Sequence, residues 1–561
     1  MKLVKVFIDD PGIELFSPYD AENQVLGLNT NLGNPWNYPN MANLIAEQAA
    51  RGIRFKEAYF QPTCSQSRAD FQTGMHGPDH GVGSIVSKEH EAISGYLELD
   101  GVGAKEPLYL CKALKLHNPN IKCAKIGKGH LGMHRSEGGT EEAFWTEKMG
   151  FDIFRGMIRL VGLPSDPDFA DALPVSVPTG YLPGFWYYRW WDSTFAGRKW
   201  EEVHEKHNTQ KIREEVVSYL QNDVTAADDF YLEVTTGAPH RPNGAATNST
   251  ASGVNPARND AEMDLMTHGG SAVYPEAEYD NPWRSTLAAM EHIDLLIGDI
   301  VTTLTAEGMY NDTVIMIMGD NGSPASLMRE ARDDGEDLQD PIDTLATNSA
   351  MKGSTLRQGA RAPLWISGPV SVTAGNPGFP RVIDKLVSLV DVSATIEDFF
   401  GATATAATER TSRGLNYQGA SMKAMLLDPL EEVNWARKTC PFDIFFPNGD
   451  VERLEHGKTD PLGSIHRYDR GCIHEHTDGK LYAARIFLDP ALPDLFYDLD
   501  EALGDPYQLT SDAASAGSTA ALAALKVLAP RGTVRNGEGT GERTLFAGTI
   551  GNHGLQAGSV S

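Results

Sequence analysis

An unbroken apolar run that ends abruptly in polar residues constrains the fold more than any other feature of this chain. Residues 313–318 read TVIMIM, and Gly319, Asp320, Asn321 and Gly322 follow directly. Continuous apolar strands are typical of a parallel sheet covered on both faces, because neither face alternates with polar residues. We therefore expect a buried sheet whose strand ends carry polar side chains.

The same strand-then-polar arrangement recurs elsewhere, and helical patterns lie between the strands. Further strands are predicted at 2–8, 123–128 and 230–235, and helices at 41–51, 108–117, 210–220 and 283–307. Strands that alternate with helices predict an α/β fold with a large mixed, mainly parallel sheet flanked by helices. Functional groups in such sheets gather at the carboxyl ends of the strands.

The length of 561 residues predicts more than one domain, because single cores stop growing at roughly 250–300 residues. The predicted divisions are a large α/β domain at 1–427, with insertions at about 155–220 and 242–280, a smaller C-terminal domain at 428–530, and a tail at 531–561. The Gly-rich tail is either disordered or an oligomerisation arm. Aromatic residues are concentrated at 180–200, where they either line a pocket or pack the insertion.

The charge of the chain excludes several classes of partner. With 48 basic and 76 acidic residues the net charge is −28, which opposes binding to nucleic acid and to anionic membranes. No apolar run approaches a membrane span, and the N-terminal segment lacks a signal-peptide core. A cytoplasmic location is expected, or a periplasmic one if a signal has been removed. The five cysteines show neither metal-pair spacing nor a disulfide framework.

Residues 64–68 read CSQSR, and Thr73 and Gly74 follow. This segment resembles the nucleophile motif of the sulfatase family, which reads Cys-x-Pro-Ser-Arg with a later Thr-Gly. Other segments resemble the family in the same order along the chain: Asp9-Asp10, Gly127-Lys128-Gly129-His130, Pro239-His240-Arg241-Pro242, Asp320-Asn321 and Lys352-Gly353-Ser354. The resemblance implies an alkaline-phosphatase-like α/β domain and a smaller C-terminal α+β domain that contains an antiparallel sheet.

The resemblance also implies the site and the reaction, an arylsulfatase-like hydrolysis of sulfuric esters. The implied metal ligands are Asp9, Asp10, Cys64, Asp320 and Asn321, and the family's usual ion is Ca²⁺, which prefers oxygen donors. The implied catalytic residues are Cys64, Arg68, Lys128, His130, His240 and Lys352.

In the family, the cysteine is converted to formylglycine, whose geminal diol attacks sulfur. His240 and Lys352 would bind the sulfate and assist the leaving oxygen, His130 would take a proton from the diol, and Arg68 would orient it. The implied partners are a small-molecule sulfate ester and a formylglycine-generating maturation enzyme. A homodimer or higher oligomer is compatible with the sequence.

One position departs from the family motif, and it leaves alternatives open. Gln66 stands where the maturation enzymes of the family read proline or alanine. With Cys64 unconverted, the same pocket would bind sulfate or phosphate esters without turnover, or would hydrolyse esters through a thiolate or a metal-bound water. A phosphonate monoester or phosphodiester hydrolase of the same superfamily is a further alternative, although Asp320-Asn321 disfavours it because such relatives tend to carry Asp-His there.

Overall fold

The structure is a computed structural model of the whole chain. It describes residues 1–19, 39–80, 82–83, 107–131, 149–157, 187–194, 200–204, 206–240, 282–324, 352–353, 355, 357–369, 380–446, 467–475, 481–487, 495–498, 533–535 and 542–544. The predicted insertion at 242–280 lies outside these residues.

A ten-stranded sheet forms the centre of the molecule. Its strands are β1 Lys2–Ile8, β2 Gly52–Tyr59, β3 Lys122–Lys128, β4 Ile153–Met157, β5 Tyr187–Asp192, β6 Trp200–His204, β7 Phe230–Thr235, β8 Thr313–Gly319, β9 Leu364–Ser367 and β10 Arg381–Ser388. Their order is β10-β2-β9-β8-β1-β7-β3-β4-β5-β6. Only β9 and β5 run antiparallel to their neighbours, so the mixed, mainly parallel sheet predicted from the sequence is confirmed.

Helices cover both faces of this sheet. They are α1 Ala42–Arg51, α2 Cys64–Thr73, α3 Gly77–His80, α4 Leu110–His117, α5 Asn208–Asn222, α6 Pro282–Ala306, α7 Arg357–Ala360, α8 Leu389–Phe399, α9 Thr403–Arg413 and α10 Lys423–Leu427. Short 3-10 helices occupy Ile13–Leu15, Ser17–Tyr19, Tyr310–Asp312 and Pro429–Asn434. Among the described residues, no helix is both long and apolar enough to cross a membrane.

The two cores follow from the alternation of side chains along each strand. Val4, Val6 and Ile8 of β1 pack with α5 and α6 on one face. Leu3 and Phe7 pack on the other face with α2, α4 and α8. Both faces are therefore buried, which explains why the strands read as continuous apolar runs.

A second, antiparallel sheet lies in the C-terminal part of the chain, as the family resemblance implies. Its strands β11 Thr439–Phe446, β12 Arg467–Glu475, β13 Leu481–Phe487 and β14 Leu495–Asp498 pair in sequence order. Within the predicted tail, β15 Thr533–Arg535 pairs with β16 Glu542–Thr544. The predicted domain boundaries themselves stay predictions.

The aromatic block at 180–200 contributes to the core where it is described. Strands β5 and β6 form a hairpin that extends the main sheet beyond β4. Trp190 is wholly buried and packs edge-on against Tyr188, while Trp191 lies in the core on the opposite face. At these positions the block packs the protein rather than lining a pocket.

Candidate active site

Four adjacent strands bring polar side chains to one edge of the main sheet. The strands β8, β1, β7 and β3 lie side by side and all run in the same direction. Their carboxyl ends therefore meet at one edge, where Asp320 and Asn321 follow β8, Asp9 and Asp10 follow β1, His240 lies beyond β7, and Lys128 ends β3. Cys64 begins helix α2, which follows β2.

A compact set of potential metal ligands lies at this edge. Asp9, Cys64 and Asp320 are fully buried, and each offers one ligand atom within 4.8 Å of the others. The backbone N–H of Asp10 donates to Asp320 Oδ1 at 2.8 Å. Asp10 adopts a left-handed backbone with φ of 64°, a conformation that aspartate tolerates better than most residues. This turn directs the two consecutive carboxylates toward one centre.

Asn321 supplies an oxygen that hydrogen bonds among the described residues leave unused. Its Nδ2 donates to Asp10 Oδ1 at 3.0 Å and to the carbonyl of Gly322 at 2.8 Å. Its Oδ1 is buried and accepts no hydrogen bond from any described residue. A buried, unpartnered acceptor is unfavourable unless something binds it. The set of carboxylate and amide oxygens fits a hard divalent cation.

Three cations surround the carboxylates. Lys128 pairs with Asp9, and Lys352 Nζ lies 2.6 Å from Asp10 Oδ2. Arg68 Nη2 lies 3.4 Å from Asp9 Oδ1 and 3.2 Å from Asp320 Oδ2.

When all three carboxylates are ionised, these three cations equal the three aspartates in formal charge, and the site has no surplus of positive charge. A bound divalent cation would therefore supply the net charge needed to attract an anion.

Burial and neighbouring charges shift the pKa values of Asp9 and Asp320 in opposite directions. Burial raises the pKa of Asp9, but the attraction of Lys128, His240 and Arg68 outweighs it and holds that pKa well below its usual range. Burial raises the pKa of Asp320 well above its usual range, and the negative charge of Asp9 adds to this effect. Two carboxylates this close resist joint ionisation unless further positive charge is supplied.

Cys64 and His130 contact each other inside the site. The Cys64 Sγ lies 3.2 Å from His130 Nδ1, and both side chains are buried. Burial raises the pKa of the Cys64 thiol, although Lys128 and Lys352 oppose the shift. Burial, reinforced by Lys128 and Arg68, lowers the pKa of His130 well below its usual value. A neutral imidazole beside position 64 is suited to accept a proton.

His240 and Lys352 are the most exposed of these residues, with side chains 13% and 10% accessible. His240 Nε2 lies 3.5 Å from Asp10 Oδ2. Burial lowers the pKa of His240 to about 4, against the opposing attraction of Asp10. Burial lowers the pKa of Lys352, but the negative Asp10 outweighs it and raises that pKa, which keeps the ammonium charged. These two groups mark the side of the site that a substrate can reach.

Two glycines of the motifs are required by close approaches. Gly127 has φ of 104°, and a Cβ there would meet the carbonyl oxygen of Thr235 at 1.9 Å. Gly74 caps α2 with φ of 67°, and a Cβ there would meet the ring of Tyr417 at 1.9 Å. Side chains at these positions would displace the end of β3 or the end of α2.

All the predicted site residues lie together at this edge, and their chemical roles stay predictions. The backbone between Lys128 and His130 is not extended. Residues i and i+2 of a strand project to the same side, but β3 ends at Lys128 and His130 has φ of 52°. The left-handed turn, rather than strand alternation, brings His130 to Cys64.

Several supporting residues were not predicted from the motifs. Thr235 Oγ1 donates to the carbonyl of Lys128 at 2.6 Å, and Ser67 Oγ donates to the carbonyl of Asp320 at 2.5 Å. Ser323 Oγ accepts the N–H of Gly12 at 2.8 Å, next to the aspartate pair. Their nearness to the motifs was the only available signal, because a hydroxyl bound to a backbone carbonyl leaves no pattern in the sequence.

Comparisons with known proteins agree with the geometry. The sequence model of the sulfatase family matches residues 29–402. A comparison with curated protein sequences gives no match.

Similar solved structures include the PsFucS1 sulfatase from Pseudoalteromonas sp., with 18% identity, a TM-score of 0.52, and coverage of 89% of this chain and 84% of that one. BT4656, solved in complex with its substrate D-glucosamine-2-N,6-O-disulfate, has 16% identity and a TM-score of 0.54 over 93% of this chain and 96% of that one. The phosphonate monoester hydrolase of Agrobacterium radiobacter has 15% identity and a TM-score of 0.50 over 93% of each chain. At these identities the likeness shows the fold alone.

Proposed function

The chain belongs to the sulfatase family, and from that premise we propose that it hydrolyses a sulfate monoester to an alcohol and sulfate. The observation that carries the proposal is the convergence of Asp9, Cys64 and Asp320 with Lys128 and Lys352 at one edge of the sheet. Acidic ligands beside fixed cations suit an anionic ester whose charge must be neutralised during cleavage. The substrate we propose is a small sulfate ester of the aryl type.

We propose that Asp9, Asp10, Asp320 and Asn321 hold one divalent cation, Ca²⁺, together with the group at position 64. The unpartnered Oδ1 of Asn321 supports this assignment. The bound ion would polarise a sulfate oxygen and neutralise the charge that develops there. Arg68 touches Asp9 and Asp320, so it would hold both carboxylates in place while the ion is bound.

For the nucleophile we propose that Cys64, after conversion to formylglycine, supplies the attacking oxygen. The residue lies at the first turn of α2, with its side chain buried among the carboxylates and beside His130. His130 is held neutral by burial and would accept the proton released as the product leaves. Lys128 lies over Asp9 and would bind one sulfate oxygen.

The leaving alcohol needs a proton, and two cationic or protonatable side chains lie on the exposed side of the site. Lys352 stays charged because its pKa is raised, so it would bind sulfate throughout the reaction. His240 would protonate the leaving oxygen once an anion beside it favours the imidazolium form. In the overall reaction water is consumed, the sulfur–oxygen bond to the alcohol breaks, and sulfate is released.

Two measurements test this proposal against the alternatives. Initial rates on an aryl sulfate and on the matching aryl phosphonate separate a sulfatase from a phosphonate monoester hydrolase. Mass spectrometry of the peptide that contains Cys64 reports whether conversion has taken place. An intact thiol in fully active protein contradicts the formylglycine mechanism. Saturable binding of both esters without turnover instead supports the non-catalytic alternative.

A further inference from the structure

The edge of the C-terminal sheet is bound by two glutamine side chains from the nucleophile region. Strand β11 is the edge strand of that sheet and pairs on one side with β12. On its other side, the N–H of Asp443 donates to Gln61 Oε1 at 3.0 Å. The carbonyl of Asp443 accepts from Gln66 Nε2 at 2.5 Å. The two amides thus provide the acceptor and the donor that a neighbouring strand would provide.

Both glutamines are buried, and the second polar atom of each side-chain amide also makes a hydrogen bond. Gln66 Oε1 accepts the hydroxyl of Thr63 at 3.2 Å, and Gln66 is wholly inaccessible. Gln61 Nε2 donates to Asp70 Oδ2 at 2.7 Å, and Asp70 in turn binds His80 at 2.7 Å. Buried polar networks of this kind fix a single geometry, because any displacement leaves a polar atom unsatisfied.

The network reaches the proposed metal ligands through short links. Gln61 and Gln66 flank Cys64 in the chain, so a shift of either amide moves the turn that carries the thiol. The N–H of Gln61 donates to Ser67 Oγ at 3.1 Å, and that hydroxyl donates to the carbonyl of Asp320. Position 64 and Asp320 are therefore fixed relative to the same edge strand.

Apolar packing holds the edge strand against this region independently of the amides. The ring of Phe442 stacks on Tyr59 with centroids 6.5 Å apart. In the neighbouring strand β12, Gly471 lies so close to Thr355 that a Cβ there would meet the carbonyl oxygen of Thr355 at 2.4 Å. The strand is thus a firm support to which the amides of Gln61 and Gln66 can attach.

We propose that Gln66 and Gln61 are positioning residues that use strand β11 to hold Cys64 and Asp320 in their reactive arrangement. This inference rests on the proposed function. It gives Gln66 a purpose in the folded protein that neither proline nor alanine can serve, because neither has a side-chain amide. Neither glutamine touches the substrate in this account.

The experiment compares Gln66→Met and Gln61→Met. Each substitution keeps the approximate volume of the side chain and removes both hydrogen bonds that the side-chain amide makes. Gln48→Met is the matched control, because Gln48 is a buried glutamine whose amide makes no hydrogen bond among the described residues. We expect kcat to fall about 10- to 100-fold in the first two variants with KM within a factor of about two. Rates are expressed per converted Cys64, as counted by mass spectrometry, so that maturation and positioning are separated.

A second readout does not depend on activity. Hydrogen exchange of the peptide that spans 62–74 is expected to accelerate in Gln66→Met and Gln61→Met, and to stay unchanged in Gln48→Met. Unchanged exchange and unchanged kcat in either amide variant would overturn the proposal. If the parent protein has no sulfatase activity, the proposed function fails, and the exchange data alone decide whether β11 holds this turn. If one variant does not fold, the other still tests the attachment of this turn to Asp443, because each amide binds a different backbone atom of that residue.

Discussion

At the scale of single residues, the clearest opportunity for a test is the unused oxygen of Asn321. Replacing Asn321 by Ala removes Oδ1 from the centre of the acidic set. We expect the affinity for Ca²⁺ to fall about tenfold or more, because loss of even an outer-shell partner of a metal ligand typically costs about 10- to 100-fold. Isothermal titration of the metal-free protein with Ca²⁺ measures the change.

The control for this measurement is Asn222→Ala. Asn222 is exposed at the end of α5, where its Nδ2 donates to the carbonyl of Ser218 at 2.9 Å. Its replacement should leave Ca²⁺ affinity unchanged. Equal affinities of Asn321→Ala and the parent protein would show that the amide oxygen is not a ligand.

The sequence was sufficient to predict that residues from the ordered motifs would meet at one edge of the sheet. Asp9, Lys128 and Asp320 each follow or end a strand, and strand ends converge in a parallel sheet, so their meeting could be predicted. The contact between Gln66 and Asp443 could not be predicted, because Asp443 lies 377 residues away and is contacted through its backbone. A backbone partner leaves no trace in side-chain identity.

At the scale of elements, the central strands carry a row of buried charges. Lys5 of β1, Glu233 of β7 and Lys125 of β3 lie in register across the sheet. Lys125 pairs with Glu233, and Lys5 Nζ lies 3.3 Å from its other oxygen. Gln72 of α2 also donates to Glu233 at 2.8 Å. One carboxylate therefore serves two lysines inside the core.

This row predicts opposite effects for two substitutions. Glu233→Gln leaves two buried ammonium groups without a counter-ion, so we expect a loss of about 3–5 kcal/mol in the free energy of unfolding. Lys5→Met removes the surplus cation, so we expect unchanged stability or a gain of about 1 kcal/mol at pH 7. Urea unfolding followed by fluorescence measures both. A large loss in Lys5→Met would mean that Glu233 needs both cations.

The same row predicts a dependence of stability on pH. Burial lowers the pKa of Lys5 to about 7, despite the attraction of Glu233, whereas an unfolded lysine titrates near 10.4. Between these values the unfolded chain binds more protons, so the free energy of unfolding rises with pH. Relative to Lys5→Met, the parent protein should gain stability from pH 7 to 9, by at most about 1.4 kcal/mol per pH unit. A flat difference would contradict the lowered pKa.

The hairpin formed by β5 and β6 gives a third prediction at this scale. Trp190 is fully buried among residues of α5 and α6, so Trp190→Ala should cost about 3–5 kcal/mol of stability. KM and kcat at a permissive temperature should stay unchanged, because the ring fills the core. The exposed Val433 offers a control, since Val433→Ala should change stability by no more than about 0.5 kcal/mol. A raised KM in Trp190→Ala would instead favour a pocket role.

Element boundaries were predictable to within a few residues where periodicity was strong. The helix expected at 283–307 is observed at Pro282–Ala306, and the strand expected at 2–8 is observed at Lys2–Ile8. The hairpin of β5 and β6 lies within the segment predicted as an insertion at about 155–220, and its pairing with the main sheet through β4 was not predicted. Its tryptophans carry no alternation that would distinguish a sheet edge from a separate lobe.

At the scale of the whole molecule, the net negative charge of the chain repels anions, whereas the proposed site must bind one. The chain carries a net charge of −28, while the described cations of the site only balance its aspartates. A polyanionic ligand meets the repulsion of the whole surface, whereas a small monosulfate meets mainly the local field of the site. We therefore expect small sulfate esters to bind better than densely sulfated polymers.

Salt should distinguish the two classes of ligand. The Debye length falls from about 30 Å at 0.01 M salt to about 10 Å at 0.1 M, which screens the surface more than the buried site. With an aryl monosulfate as substrate, a polysulfated oligosaccharide should therefore inhibit more strongly as salt is raised. Inorganic sulfate is the control competitor, and its inhibition constant should change much less. Weaker inhibition by the oligosaccharide at higher salt would reveal a basic binding surface and would contradict the preference for small monosulfates.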